Sequence, residues 1–149
     1  MATDDATIMG SESHLDAEWA IVKICGVDVG DYIENESILT RELIEEHFDE
    51  IVNHVKSSDY SYYGTHQVLG YLILKTGSAL PEHLRDDILE CASWQREKEF
   101  WSQVPSWEKP RKYFLNDFKT KIKNYVPGIK TLLATKYPDD PDYVYYWKK

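Results

Sequence analysis

Residues 68–74, with the sequence Val-Leu-Gly-Tyr-Leu-Ile-Leu, carry no charged side chain. They form the second half of a helix that we predict over residues 60–75, because Gly77 stands where a helix commonly ends. A helix that is apolar on every side is surrounded by other elements. This segment therefore predicts a helical bundle with a central helix. Gly70 lies within it and predicts the close approach of a neighbouring helix.

A second helix is predicted over residues 41–55, with Thr40 as its N-cap and acidic residues in its first turns. At the helical period of about 100° per residue, its apolar residues form one stripe with an acidic face opposite. The stripe consists of Ile44, Phe48, Ile51 and Val55.

The remaining segments also favour helices. Pro81 opens one that extends toward Trp101, and another is predicted over residues 111–126, where Phe114, Phe118, Ile122 and Tyr125 recur at helical spacing. Residues 104–110 are predicted as a turn-rich linker, 26–35 as a loop and 129–137 as a short helix. Ser13 is the expected cap of a first helix over residues 14–25, although the apolar run 20–25 also suits a strand.

These patterns predict an all-α fold, a single-domain bundle of five to six helices. Residues 1–12 are expected to form a flexible lead-in and residues 13–149 the domain. A chain of 149 residues that is 42% hydrophobic can form a substantial core. The N-terminus lacks the features of a secretory signal, and the longest apolar run is far shorter than the ~20 residues of a membrane span. We therefore expect a cytoplasmic protein with no membrane partner.

Charge is divided along the chain. Residues 1–108 contain 22 Asp and Glu against 7 Lys and Arg, whereas residues 109–149 contain 10 Lys and Arg against 4 Asp. Such a division steers a charged partner toward one face but does not determine the fold.

Catalytic motifs are missing from the sequence. There is no GxSxG, no phosphate-binding glycine loop and no cysteine motif around Cys25 or Cys91, whose pairing stays open. His47, Glu50 and His54 lie near one face of the predicted second helix, as zinc ligands can, but the HExxH pattern is absent. We predict no enzyme, no cofactor and no metal, and keep a small metal-dependent hydrolase as an alternative.

Residues 109–130 hold 7 Lys and Arg against one acid, Asp117, with aromatic residues between them. Lysines can contact phosphates while aromatic rings stack on bases, so a nucleic-acid-associated regulator is a second alternative. We disfavour it because the aromatic residues at helical spacing are expected to face the core. The acidic remainder of the chain would also repel a phosphate backbone.

Two stretches carry a family resemblance. One is residues 64–94, a helix followed by a turn containing Leu80 and Pro81 and a second helix that ends in Trp94; the other is residues 113–125. Together they resemble small helical bacterial immunity proteins of polymorphic toxin and contact-dependent growth inhibition systems. The resemblance implies a toxin inhibitor that binds a cognate toxin domain and blocks its active site or substrate path, and it transfers no catalytic or contact residues.

We therefore predict a protein–protein interaction with a basic surface on a cognate toxin, for example a nuclease with a phosphate-binding cleft. The acidic face of the second helix would steer the partner, and neighbouring tyrosines would anchor it. The predicted partner-binding residues are Glu42, Glu45, Glu46, Asp49, Glu50, Tyr60, Tyr62 and Tyr63. A second aromatic cluster at residues 143–147 suits either an interface or the sealing of the domain's end.

Overall fold

The apolar segment 68–74 lies within a central helix, as predicted. The structure is a computed structural model that describes residues 5–57 and 63–138, and within these ranges it holds eight α-helices, one 3-10 helix and no β-strand. In chain order they are α1 (Glu12–Ile24), α2 (Val29–Glu34), the 3-10 helix (Glu36–Ile38), α3 (Arg41–Glu46), α4 (Phe48–Ser57), α5 (Tyr63–Thr76), α6 (Glu82–Cys91), α7 (Trp94–Trp101) and α8 (Pro105–Asn124). The all-α prediction is confirmed, with more helices than the five to six expected.

Helix α5 forms the middle of the bundle, in contact with α1, α3, α4 and α6. Val68, Leu69, Leu72, Ile73 and Leu74 are fully buried, as expected for a helix without a solvent face. Side chains of α8 and α6 fill the space beside Gly70, where a Cβ would lie only 2.7 Å from Phe118 Cζ and 3.0 Å from Ile88 Cγ2. A larger residue at this position would therefore displace buried side chains of both neighbours.

The predicted second helix is divided in two. His47 lies between α3 and α4 with φ −102° and ψ 18°, away from helical values. The predicted apolar stripe survives the break, because Ile44, Ile51 and Val55 are buried and Phe48 is half-buried. The acidic face is therefore carried by two short helices that meet at His47.

Residues 104–110 were predicted to form a linker, but the structure shows that prediction to be wrong. Helix α8 begins at Pro105, which suits a first helical position because its missing N–H is not needed there. Pro110 lies further inside α8 and removes a hydrogen bond from it, which argues against a helix on propensity alone. Pro110 and Arg111 are both buried, so packing of this turn outweighs the local cost.

Smaller differences concern the ends of elements. The first helix is α-helical through Ile24, which settles the choice between helix and strand, and its cap is Ser11 rather than Ser13. Residues 26–35, predicted as a loop, contain α2, whose N-cap Asp28 accepts from the Asp31 amide. Residues 129–137, predicted as a short helix, are not helical. The predicted long helix after Pro81 is divided into α6 and α7.

The stretch predicted as a flexible lead-in is packed where the structure describes it. Ala6 and Ile8 are buried core residues, and the Asp5 amide donates to the Gly10 carbonyl at 3.4 Å. The Asp5 carboxylate accepts from the Thr7 amide at 2.8 Å. Residues 5–10 therefore form a closed loop against the bundle before α1 begins.

Two further findings concern the described residues as a whole. Cys25 and Cys91 are both buried free thiols, and burial raises the pKa of each to about 11. None of the helices in residues 5–57 and 63–138 has both the length and the apolar character that crossing a membrane requires.

Candidate docking surface and buried polar network

The acidic face of α3 and α4 is open to solvent. Glu42, Glu46 and Asp49 are exposed and form no ion pair with any residue that the structure describes. We call Glu42, Glu46, Asp49 and Glu50 the acidic surface. The charges of Glu42, Glu46 and Asp49 are therefore not neutralised by an ion pair within the described part of the bundle.

Two of the five predicted acids have partners. The Glu45 carboxylate is half-buried, accepts from Arg41 Nε at 2.9 Å and accepts from the Ala79 amide at 2.8 Å. Glu45 thus ties α3 to the start of the loop before α6, and we assign it a structural role. Glu50 is exposed, with Oε1 at 3.4 Å from His47 Nδ1.

The predicted tyrosine anchors are not brought together with these acids. Tyr63 is half-buried at the start of α5 and lines a cleft of about 150 Å³ with Ser11, His14 and Phe100. None of the five predicted acids lines that cleft. Tyr60 and Tyr62, like the aromatic cluster at 143–147, lie outside the described residues.

Two lysines of the basic segment 109–130 pair with acids of their own helix. Lys112 pairs with Glu108 and Lys121 with Asp117, each within α8. Among the described residues no ion pair joins α8 to the acidic surface. The aromatic residues Phe114, Phe118 and Tyr125 are buried, so these three rings are not available for bases to stack on.

A polar network lies in the core beneath the cleft. Arg111 and Glu97 are almost completely buried and form a bidentate pair, with Nε–Oε1 at 2.7 Å and Nη2–Oε2 at 3.0 Å. Arg111 also donates to the Thr7 carbonyl at 2.7 Å and to Gln67 Oε1 at 3.1 Å. Burial alone would raise the pKa of Glu97, but the Arg111 guanidinium holds it below its usual value.

This network fixes the protonation state of His14. Gln67 Nε2 donates to the Cys91 carbonyl and to Glu97, so its Oε1 is an acceptor. His14 Nε2 lies 3.0 Å from that oxygen and must carry the proton, which leaves Nδ1 to accept from Ser11 Oγ at 2.7 Å. Burial, aided by the Arg111 charge, lowers the pKa of His14 to about 4.

Ser11 and His14 resemble the first two members of a nucleophilic triad, but their environment is unsuited to that chemistry. A catalytic histidine must become an imidazolium during the reaction, and a carboxylate beside it normally stabilises that charge. Here the neutral Gln67 amide occupies that place, and the Arg111 charge disfavours the imidazolium. The pair is better explained as the N-cap of α1, since Ser11 Oγ also accepts from the His14 amide.

A second polar cluster links α1, α2 and α5. Tyr32 is buried and donates to Glu18, while Lys75 contacts the hydroxyls of Tyr32 and Tyr71 at 3.3 Å and pairs with Glu36. Burial lowers the pKa of Lys75 and raises that of Tyr71 to about 12. Each polar group is satisfied by another, so this cluster holds the helices together.

The candidate metal ligands are not assembled into a site. His47 lies at the break and His54 within α4, and both side chains are half-buried. Within residues 5–57 and 63–138 no three His, Cys, Asp or Glu side chains are grouped as metal ligands would be. The metal-dependent alternative gains no support from this geometry.

The buried network was not predicted from the sequence, although one signal pointed to it. Arg111 precedes Phe114 by three residues and Phe118 by seven, so extending the buried stripe of α8 by one turn would have included it. Glu97 precedes the buried Trp101 by four residues in the same way, and Trp101 Nε1 donates to it at 2.8 Å. Charged residues are seldom fully buried unless they are paired, so spacing rather than charge was the available signal.

Comparisons with known proteins give no further guidance. No family model matches the chain, and neither the curated proteins nor the solved structures provide a match. The functional argument therefore depends on the geometry of this chain.

Proposed function

We propose that this protein is a cytoplasmic binding protein whose acidic surface docks onto a basic surface of a partner protein, in the manner of an immunity protein on its toxin. The partner's activity would be blocked by occlusion. No covalent chemistry is assigned to this chain.

One observation carries the proposal: Glu42, Glu46 and Asp49 are exposed on adjoining helices without an ion pair in the described structure. Unpaired charges of one sign repel each other, which destabilises the isolated protein slightly. The same charges accelerate association with a basic partner by one to three orders of magnitude at low salt. Binding of a basic partner would therefore offset the repulsion among these carboxylates with attraction to the partner's cations.

The buried polar groups support a binding role rather than catalysis. Arg111 uses its donors on protein acceptors, and His14 is held neutral by its surroundings. The resemblance of residues 64–94 and 113–125 to bacterial immunity proteins of contact-dependent growth inhibition systems points in the same direction. The partner class that fits is a basic toxin domain, of which a nuclease is one example.

Affinity capture from a lysate of the source organism tests the proposal. The baits are the wild-type chain, a variant with Glu42→Lys, Glu46→Lys and Asp49→Lys, and a control with Asp16→Lys, Asp86→Lys and Glu99→Lys. The control acids are exposed on α1, α6 and α7 and change the net charge by the same amount. We expect a basic protein captured by wild type and control but lost with the first variant. Equal capture by all three baits would contradict the proposal.

A further inference from the structure

Three large apolar side chains are displayed on the segment that follows α8. Val126, Ile129 and Leu132 are 55%, 61% and 75% exposed, and we call them the apolar strip. Only two other large hydrophobic residues in the described part of the chain, Ile33 and Phe100, are exposed. Val126 and Ile129 line the same surface groove, and exposed apolar side chains that are grouped in this way mark interaction surfaces.

The backbone beneath the apolar strip is fixed. The Gly128 amide donates to the Gly77 carbonyl at 2.9 Å and the Thr131 amide to the Leu74 carbonyl at 2.7 Å, at the end of α5. Lys121 Nζ donates to the Leu132 carbonyl at 2.7 Å. The apolar side chains are therefore held outward by an anchored segment, so a partner would order little backbone on binding.

The charges around the apolar strip are positive. Lys123 and Lys130 are exposed and have no ion pair among the described residues, and the sequence has no Asp or Glu between Asp117 and Asp139. A surface that faces these lysines is best provided with carboxylates. The partner charge that suits the apolar strip is therefore opposite in sign to the charge that suits the acidic surface.

The segment that carries the apolar strip borders the acidic surface at Glu42. Arg41 and Glu42 line a groove of about 420 Å³ together with Gly128 and Lys130. A Cβ on Gly128 would lie 3.3 Å from Arg41 Nη1, so the segment that carries the apolar strip touches α3. One partner could therefore cover both surfaces.

We propose that the apolar strip is the hydrophobic centre of the interface whose acidic side is the acidic surface. The partner's docking face is then bipolar: cations lie opposite α3 and α4, and an apolar patch bordered by carboxylates lies opposite the strip. This inference rests on the proposed function. The apolar strip would supply the buried apolar contacts that the acidic surface lacks. Such contacts, rather than charges at the rim, carry most of the binding energy of an interface.

A protein fits this surface better than a lipid bilayer or a nucleic acid. A concave groove of about 180 Å³ lies beside the strip, lined by Tyr125, Val126 and Ile129 among others, and a partner side chain can fill it. A bilayer or a nucleic acid would present phosphates opposite Glu42 as well, whereas a folded protein can place cations there and carboxylates opposite Lys123 and Lys130.

The test measures association and dissociation rates with the protein captured by the wild-type bait. One variant, Ile129→Ser with Leu132→Ser, should raise koff about tenfold or more and leave kon nearly unchanged. Its control, Phe100→Ser, removes an exposed apolar side chain on α7 and should change neither rate. Circular dichroism confirms that each variant is folded.

A second variant tests the sign of the partner's charge. Lys123→Glu with Lys130→Glu should weaken binding if the partner face is bipolar, whereas a uniformly basic partner would bind this variant more tightly. The control, Lys23→Glu with Lys98→Glu, changes the net charge equally at exposed sites on α1 and α7. Tighter binding of the first variant, or an unchanged koff in the serine variant, would overturn the inference.

The outcomes separate this inference from the proposed function. If the serine variant binds normally while Glu42→Lys, Glu46→Lys and Asp49→Lys slows association, the inference fails and the proposed function stands. If the wild-type bait captures no basic protein, the proposed function fails. Binding of wild type but not the serine variant to vesicles of 7:3 phosphatidylcholine and phosphatidylglycerol would reassign the strip to membranes. Self-association that the serine variant abolishes would reassign it to a second copy.

Discussion

Arg111 and Glu97 form a bidentate ion pair between α8 and α7, with both side chains removed from solvent. The same guanidinium contacts the carbonyls of Ala6 and Thr7 and the amide of Gln67 in α5. The Arg111 side chain therefore joins α7 and α8 to the central helix α5 and to the segment that precedes α1.

Removal of Arg111 should be costly, because it leaves the Glu97 carboxylate buried without its counter-charge. We expect Arg111→Met to lower the free energy of unfolding by about 3–5 kcal/mol, measured by urea titration. The double variant Arg111→Met with Glu97→Leu should lose less than the sum of the single changes, since no lone charge remains.

The exposed pair Arg96–Glu90 provides the control, because both side chains are solvent-accessible. Arg96→Met should cost no more than about 1 kcal/mol. If Arg111→Met were as mild as Arg96→Met, the buried pair would not have the structural role that we assign to it.

His14 should make stability depend on pH. Its pKa is about 4 in the folded protein against 6.5 ordinarily, so between these values the unfolded chain binds the proton more readily. Stability is therefore complete above pH 6.5 and falls as the pH drops toward 4, by about 2 kcal/mol between pH 7 and pH 5. Urea titrations at the two pH values measure this loss.

The variant His14→Asn isolates that contribution. It removes the titrating ring, so the difference between pH 7 and pH 5 should shrink even if the variant is less stable at both. An undiminished pH dependence in His14→Asn would assign the effect to other groups. The carboxylate of Glu97, whose pKa is lowered, loses its contribution only at more acidic pH.

Gly70→Ala should destabilise the bundle despite the better helix propensity of alanine. The added methyl would lie 2.7 Å from Phe118 Cζ and 3.0 Å from Ile88 Cγ2, and both neighbours are fully buried. We expect a net loss of about 1–2 kcal/mol. Gly64→Ala in the same helix meets only an ordinary 3.4 Å contact with His14 and should be close to neutral. Similar thermal midpoints for the two variants would contradict the tight packing of Phe118 and Ile88 against Gly70.

Arg85 should stabilise the end of α8 and the segment beyond it. Its Nη1 donates to the Ile122 carbonyl at 2.6 Å and to the Tyr125 carbonyl at 3.1 Å. Arg85→Met removes both of these hydrogen bonds and should cost about 1–3 kcal/mol. Amide exchange of residues 124–129 should also accelerate relative to that of α5, and unchanged exchange would show that the segment is held by other contacts.

The fold class could be predicted because the apolar stripes of α5 and α8 are regular and the helix end at Gly77 is well marked, with φ 77°. The spacing of apolar residues did not predict helix boundaries that depend on tertiary packing. His47 interrupts a helix whose apolar spacing continues through it, and Pro110 lies in a helix because burial compensates for its lost hydrogen bond.

The candidate site was predicted only in part. The exposure of Glu42, Glu46 and Asp49 follows from helical spacing, whereas the contact of Glu45 with the Ala79 amide joins residues far apart in sequence. The exposed apolar strip was missed for a related reason. Residues 129–137 were assigned to a helix, which would have buried one face, but their backbone instead bonds to the end of α5.

The most direct test of the account is the salt dependence of kon for the captured partner. For wild type, log kon should fall steeply as NaCl rises from 20 to 300 mM, because the acidic surface steers association. The variant with Glu42→Lys, Glu46→Lys and Asp49→Lys should associate more slowly at low salt and show a flat or reversed dependence. If both proteins gave the same rates at every salt concentration, the acidic surface would have no part in recognition.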